Sequence, residues 1–383
     1  MSAVTFRRAV IGHETTGPAF RPTRAMSSTL SLTRPRPSTP ARRPERVDSG
    51  RDPWFDNAKM LLVTLVVVGH AWVLLPDSLA RHWFYDFLYL WHMPAFVMVT
   101  GYLSRSFTWS RRNLARLVTV VAVPYVVFEA LMSTFRTEVG GENGIEKLWV
   151  EPHWPMWFLA ALLVWRLATP LLQAVPAPVL VAVAISVLGG LLAGDVLDVG
   201  RITGMLPFFV LGLVARREHV DMLRSRGARI AGTTLLLVAF GLAAFIDGRL
   251  RTEWLYWRSG YEVMGFSFAE GAAIRLGLLA VATLLALSAL AVIPRRGGWF
   301  TRLGAATMVV YLFHGFFVRG AEYAGVMDWA STAPWLGLLV TTGAAVVLSL
   351  GLAAPPVARR LNPVVDPVGS FQARTSTRTR THS

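Results

Sequence analysis

Three histidines lie within apolar segments of this sequence, where an ionisable side chain usually has a function. His70, His92 and His314 occur in the runs LVVVGHAW, LYLWHMPA and VVYLFHGF. A neutral imidazole in a water-poor cavity can take a proton from a hydroxyl, relay protons through a transporter, or bind zinc. Nothing in the spacing of these histidines favours a metal, so we predict no metal site. General base catalysis and a proton relay both stay open at this point.

A polar stripe on the first apolar segment connects His70 to a charged end. Lys59 and His70 are eleven residues apart, close to three helical turns, so both project from nearly the same helix face, roughly 16 Å apart along the axis. Asp56 and Asn57 lie at the same end as Lys59. The sequence contains no cysteine, which excludes disulfides and an acyl-cysteine intermediate.

The other two histidines are expected at a similar depth. His92 lies about nine residues into its segment, and His314 lies about eleven residues into its own, with Tyr311 one turn before it. Pro94 should kink the helix that carries His92 and free a carbonyl nearby. We therefore predict that the three histidines share one cavity.

The elements that position these residues are membrane helices. Hydrophobic residues make up 54% of the chain, charged residues make up 16%, and the mean hydropathy is +0.47, which a soluble core of this size cannot bury. The sequence predicts an all-α integral membrane protein of about ten transmembrane helices, near residues 58–75, 83–104, 114–133, 155–173, 178–194, 202–215, 230–246, 268–292, 303–318 and 334–354. The segments 178–194 and 202–215 are short enough to form one re-entrant pair instead.

Basic residues predict the topology. The net charge of +15 comes largely from arginines clustered between the apolar segments rather than on one basic face, so we predict no nucleic-acid partner. When the ten segments alternate across the membrane, most of the 38 Lys and Arg residues fall on one side, which the positive-inside rule places in the cytoplasm. Both termini are then cytoplasmic, with disordered basic tails at 1–52 and 357–383 around a membrane domain at 53–356.

Five sequence blocks occur along the chain in a fixed order: DNAK…VVVGH, LYLWHMPAFVMVTGYL, HWPMWFLAALLVWRL, LPFFVLGL and LGAATMVVYLFHGFF. In this order they resemble the acyltransferase 3 family of membrane O-acyltransferases, in particular the branch similar to fucose 4-O-acetylases, over about residues 51–354. The resemblance implies transfer of an acyl group, usually acetyl from acetyl-CoA, to a hydroxyl that is often on a cell-surface sugar.

The resemblance also implies roles for individual residues. The family's motif of a basic residue, ten residues and a histidine falls on Lys59 and His70, with lysine in place of the commoner arginine. His70 is then the leading catalytic candidate, Lys59 supports the donor or a developing charge, and His92 lines the same cavity. The remaining predicted cavity residues are Asp56, Asn57, Trp157, Arg166, Tyr311 and His314.

Coenzyme A is cytoplasmic and polyanionic, so its phosphates are expected near the cytoplasmic segment RSFTWSRRNLAR. The arginines of that segment are Arg105, Arg111, Arg112 and Arg116. Acyl-CoA is expected as a co-substrate, with no tightly bound cofactor. The acceptor is expected to be a carbohydrate or another hydroxylated molecule that arrives from outside a plasma membrane.

Two alternatives to this function stay open. In the first, the protein transports or flips a lipid-linked or acylated sugar, with the histidines as a proton pathway. In the second, it acylates a small hydroxylated metabolite. The aromatic residues of the predicted extracytoplasmic segment 247–267 either stack on a sugar or anchor the chain at the bilayer interface. They are Trp254, Tyr256, Trp257 and Tyr261.

Overall fold

A computed structural model describes residues 52–143, 148–191, 196–246, 251–325 and 328–370, and all regular elements in these ranges are helical. The α-helices are α1 (Pro53–Trp72), α2 (Leu79–Tyr89), α3 (His92–Ser104), α4 (Arg111–Leu117), α5 (Val123–Glu138), α6 (Trp157–Ala174), α7 (Pro178–Gly189), α8 (Val199–Gly204), α9 (Leu206–Val214), α10 (Arg217–Leu223), α11 (Arg226–Ile246), α12 (Phe268–Val292), α13 (Trp299–Leu303), α14 (Thr307–Tyr323), α15 (Pro334–Ala353) and α16 (Pro355–Val365). A π-helical turn, Val118–Ala122, joins α4 to α5, and 3-10 turns lie at Val196–Asp198, Thr252–Tyr256 and Asp328–Ser331. The predicted all-α class is confirmed for the part of the chain that the structure describes.

Helix α1 lies at the centre of the bundle. Its N-terminus is capped by Asp52, whose carboxylate accepts a hydrogen bond from the backbone N–H of Trp54 at 3.0 Å, and Pro53 occupies the first helical position. The helix packs against α2, α3, α13, α14 and α15, and it is buried along most of its length. This packing fixes His70, which lies in the last turn.

Two glycines let α3 and α9 approach closely. A Cβ atom at Gly101 would clash with the carbonyl oxygen of Phe209, and one at Gly212 would clash with the carbonyl oxygen of Met98. Membrane helices use small residues in this way to bring their backbones together. Because α3 begins at His92, this crossing also fixes the position of that histidine.

The segment predicted as one helix at 83–104 is divided in two. Helix α2 ends at Tyr89 and α3 begins at His92. Pro94 lies in the first turn of α3, where a missing backbone N–H is tolerated. The break therefore precedes His92 instead of following from Pro94. The ring of His92 uses a carbonyl at the end of α2, with Nδ1 2.8 Å from the Leu88 oxygen.

Among the described residues, five helices are long and apolar enough to cross a membrane, at 111–138, 157–174, 226–245, 268–292 and 334–353. The count rises to six if the helices at 199–214 and 217–223, bent by 102°, form one span. Most of the other predicted spans correspond to helices of only 11 to 17 residues, namely α2, α3, α7 and α14. The first predicted span corresponds to α1, which has 20 residues but includes the ionisable residues Asp56, Lys59 and His70. The number ten is therefore not confirmed. Helix α7 alone covers about 18 Å, well short of a hydrocarbon core of about 30 Å.

The predicted C-terminal tail begins inside a helix. Helix α16 crosses the predicted domain boundary and packs against α14 and α15. Val357, Leu361 and Val365 pack against the bundle, whereas Arg359 and Arg360 are exposed. The expectation of disorder thus fails for 357–365, because apolar residues at helical spacing make this arginine-containing stretch amphipathic. The rest of that tail from 371, and the N-terminal tail through 51, lie outside the described residues.

Candidate functional site

A cavity of about 480 Å³ lies at the C-terminal end of α1. Its aromatic walls include Phe96, Trp154, Trp157, Phe158 and Tyr311, and its polar lining residues are His70, Tyr85, Tyr89, His92, Arg201, Tyr256, Arg258 and Ser259. The structure therefore brings together four of the residues predicted for one site, namely His70, His92, Trp157 and Tyr311. His314 is fully buried directly behind His70.

Hydrogen bonds define which nitrogens of His314 and His70 carry protons. His314 Nδ1 lies 2.6 Å from the Tyr311 carbonyl oxygen, and a carbonyl only accepts, so Nδ1 carries the hydrogen. In the neutral ring, His314 Nε2 is then an acceptor, and it lies 2.8 Å from His70 Nδ1. His70 therefore donates from Nδ1. Its Nε2 is left unprotonated, in a ring that lines the cavity.

The ring of His92 is held in the same tautomer. Its Nδ1 donates to the Leu88 carbonyl at 2.8 Å, which leaves Nε2 as an acceptor. Tyr89 packs edge-on against this ring, with centroids 4.7 Å apart. The cavity thus contains two imidazoles, each with one nitrogen able to accept a proton from a hydroxyl.

A loop before α6 covers His70 and is tied to the rest of the site. The ring of Trp154 lies against His70, with centroids 4.0 Å apart. The next residue, Pro155, accepts a hydrogen bond from the Tyr311 hydroxyl through its carbonyl oxygen. The preceding residue, His153, donates its backbone N–H to Glu129 Oε1 at 3.0 Å, and its Nδ1 also contacts that carboxylate.

Glu129 is completely buried on α5, and neither it nor His153 was expected at the site. A buried carboxylate on a helix this apolar needs partners, because unpaired charge is costly there. The signal was present in the sequence, as a single acidic residue in the run YVVFEALM. Its partner could not be read from the sequence, because His153 is on a loop 24 residues away.

The polar residues at the start of α1 do not line the cavity. Lys59 Nζ lies 2.7 Å from Asp56 Oδ1, roughly 16 Å along the helix axis from His70. Asn57 donates to the Pro294 carbonyl at 2.8 Å and accepts from Thr301 at 2.8 Å. The prediction of Asp56 and Asn57 as cavity residues is therefore wrong, because sharing a face of a three-turn stretch does not bring both ends into one pocket.

A basic pocket of about 260 Å³ lies near the opposite end of the bundle from His70. Arg116 and Arg166 line it together with Ser104 and Asn113, and Arg166 Nε donates to Ser104 Oγ at 3.3 Å. Arg166 is thus misassigned to the histidine cavity. It follows Trp157 by nine residues on α6, which places it roughly 14 Å further along the helix.

The other arginines predicted to bind phosphate lie outside this pocket. The Arg105 guanidinium stacks 3.4 Å from the Tyr102 ring centroid and donates to the Ala215 carbonyl at 3.0 Å. Arg111 and Arg112 are exposed in the first turn of α4.

The aromatic residues of the 251–267 segment divide into two groups. Tyr256 lines the cavity, and its hydroxyl lies 3.0 Å from that of Tyr85; burial raises the pKa of Tyr256. Trp254, Trp257 and Tyr261 are buried within the protein. These three therefore neither stack on a ligand in the cavity nor anchor at a bilayer surface.

Among the described residues, no group of three or more His, Cys, Asp or Glu side chains could hold a metal ion. His70 and His314 are in direct contact, and this contact uses only His70 Nδ1 and His314 Nε2. The arrangement is that of an oriented base beside an aromatic cavity.

Comparison with known protein families matches residues 52–354 to a model described as an acyltransferase domain, Acyl_transf_3. No curated protein and no solved structure gives a significant match. The matched range includes every residue of the cavity and of the basic pocket, and it contains all the candidate membrane spans. The chain is therefore a multi-pass membrane acyltransferase, and it belongs to the acyltransferase 3 family.

Proposed function

We propose that this protein transfers an acyl group, most simply acetyl, from cytoplasmic acyl-CoA to a hydroxyl of an extracytoplasmic or membrane-associated carbohydrate. The observation that carries the proposal is the His70–His314 pair, whose 2.8 Å hydrogen bond leaves an unprotonated His70 nitrogen on a ring lining an aromatic cavity. A positioned general base of this kind typically accelerates proton transfer by roughly 10²- to 10⁴-fold.

In the proposed reaction, His70 Nε2 takes the proton of the acceptor hydroxyl as its oxygen attacks the thioester carbonyl. The carbon–sulfur bond then breaks, an oxygen ester forms, and the proton passes from His70 to the departing thiolate of coenzyme A. His314 accepts from His70 Nδ1 throughout, which holds the ring in position and stabilises it while it carries the extra proton. His92 offers a second acceptor nitrogen in the same cavity.

The donor is proposed to enter from the end of the bundle that carries the basic pocket. Arg116 and Arg166 suit a phosphate group there, because charge-assisted hydrogen bonds from arginine are strong. Phe55 stacks on Tyr102 with centroids 4.7 Å apart, so the start of α1 and the end of α3 lie together. A long flexible donor arm would run from this end along α1 toward His70.

The same proposal includes the topology. Ten membrane-crossing segments, counting the short and broken helices, would put both termini in the cytoplasm and the cavity on the extracytoplasmic side of a plasma membrane. The basic segments at 105–116 and 216–229 support that orientation.

The test uses the purified protein in lipid nanodiscs with labelled acetyl-CoA and hydroxylated acceptors. Label should move to a carbohydrate, and His70→Ala should lose about 10²- to 10⁴-fold in kcat. Unchanged turnover in His70→Ala would remove His70 from the mechanism. Uptake of a sugar into proteoliposomes without acyl-CoA would favour a transporter instead, and transfer to small metabolites alone would move the acceptor out of the carbohydrate class.

A further inference from the structure

A second, smaller polar pocket adjoins the cavity that contains His70. Its volume is about 200 Å³, and it shares Trp154 and Arg258 with the larger cavity. The other residues that line it are Arg136, Glu151, Pro152, His153 and Asp198. Trp154 also packs on His70 at 4.0 Å between centroids. A group bound in this pocket is therefore separated from the catalytic imidazole by one indole ring.

Two buried polar atoms of the pocket residues lack partners. His153 and Asp198 are only 3% and 4% exposed, and within the described ranges neither His153 Nε2 nor Asp198 Oδ1 has a hydrogen-bond partner. Arg258 Nε approaches that Asp198 oxygen only to 4.0 Å, which is too long for a hydrogen bond. Buried polar atoms are nearly always paired. A ligand that contacts these two atoms from the pocket would supply the missing partners.

The chemistry of these two atoms selects a hydroxylated ligand. A hydroxyl donates to a carboxylate oxygen, and it either donates to or accepts from an imidazole nitrogen. An anionic group would bring only acceptors and would meet the carboxylates of Asp198 and Glu151. The two arginines of the pocket do not offset this, because Arg136 already donates to Glu142 at 2.8 Å and the charge of Arg258 lies 4.0 Å from the Asp198 carboxylate. The pocket therefore suits an uncharged, hydroxyl-rich ring better than a phosphate or a carboxylate.

We propose that this pocket binds a second sugar ring, next to the one that receives the acyl group. The acceptor is then a glycan or glycoside of at least two rings. This inference rests on the proposed carbohydrate acceptor and adds its minimum size. The shared wall of Trp154 and Arg258 marks the point where the link between the two rings would pass.

The first test compares two uncharged acceptors on the wild-type protein in nanodiscs, a monosaccharide methyl glycoside and a disaccharide that ends in the same ring. We expect kcat/KM for labelled acetyl transfer to be at least about 10-fold higher for the disaccharide, which corresponds to about 1.4 kcal/mol. Equal values for the two acceptors would overturn the second subsite and leave the proposed function standing. Transfer to no carbohydrate would overturn the carbohydrate acceptor and the subsite together.

The second test uses His153→Asn. The asparagine amide nitrogen can take the position of Nδ1 and keep the hydrogen bond to Glu129, whereas the Nε2 atom is lost. The preference for the disaccharide should fall at least about 5-fold, as expected for the loss of one buried hydrogen bond. His82→Asn is the matched control, because His82 is on α2 and lines neither pocket. An unchanged preference in His153→Asn would overturn the inference, and the thermal unfolding midpoint reports whether the variant is folded. If the variant does not fold, the comparison of the two acceptors on the wild-type protein still decides the question.

Discussion

Replacement of His314 tests the proton arrangement of the site most directly. In His314→Ala, the Nδ1–H of His70 loses the acceptor that lies 2.8 Å away. His314 is fully buried, so water does not easily take its place. The His70 ring would then lose both its orientation and its preference for the tautomer with an unprotonated Nε2.

The magnitude follows from the cost of an unpaired buried donor, which is about 1–3 kcal/mol. At about 1.4 kcal/mol for each tenfold change in rate, kcat should fall about 5- to 150-fold. This loss should be smaller than that of His70→Ala, because the base itself remains. His314→Gln should recover part of the loss, since its amide oxygen can accept from His70 Nδ1.

The assay is steady-state transfer from labelled acetyl-CoA in nanodiscs, with kcat and KM determined for both substrates. His82→Ala is the control, because its side chain is 38% exposed beside Asp77 and lines neither cavity. If His314→Ala kept its kcat within twofold of the wild type, the assignment of the acceptor and donor nitrogens would be refuted. If His314→Gln were no better than His314→Ala, the hydrogen bond would not be the reason for the loss.

Four further changes test other parts of the structure. Glu129→Gln should lower kcat about 10- to 100-fold, because the single amide oxygen cannot accept from both donors of His153. An unchanged kcat in steady-state kinetics would contradict this. Gly212→Leu should lower the free energy of unfolding by about 1–3 kcal/mol, because the crossing of α3 and α9 has no space for a side chain. Gly241→Leu is the control and should not lower the thermal midpoint, because a Cβ atom at Gly241 would have no neighbour within 4 Å. Glu142→Gln tests a carboxylate whose pKa is lowered to about 2, chiefly by the hydrogen bond from Arg136. Because the folded pKa lies below the ordinary value, this group stabilises the fold above about pH 4.5 and loses its contribution as the pH falls toward 2; the thermal midpoint of Glu142→Gln should change less with pH over that range than the wild type. Lys59→Met should raise KM for acyl-CoA several-fold more than KM for the acceptor, whereas an equal change in both would place Lys59 outside donor binding.

The convergence of the three histidines could be predicted from the sequence. The number of residues from the edge of each apolar segment gives the depth of His70, His92 and His314, and all three belong to one contact region. The direct contact between His70 and His314 could not be predicted, because it joins residues 244 positions apart and depends on the relative rotation of α1 and α14. Depth is a property of one helix, whereas contact is a property of two.

The same limit explains the misassigned residues. Arg166 and Trp157 share α6, and a sequence block alone does not show that their separation exceeds the width of the cavity. The sequence predicts that Trp254 and Trp257 either stack on a sugar or anchor the chain at the bilayer interface, but their segment folds back and buries them. A loop that re-enters the protein has no periodicity, so its buried residues carry no pattern.

The distance between Lys59 and His70 is itself informative about the reaction. If both residues serve one catalytic event, a substrate must span roughly three helical turns of α1, and neither a small acceptor nor a single sugar ring is that long. A donor with an extended arm is long enough, so the proposed function assigns the charged end of the motif to the donor and the imidazole end to the acyl group. The acceptor then needs contacts only around the 480 Å³ cavity and its neighbouring pocket. Under the proposed function, donor and acceptor recognition are separated along α1, so substitutions at its two ends should change different Michaelis constants.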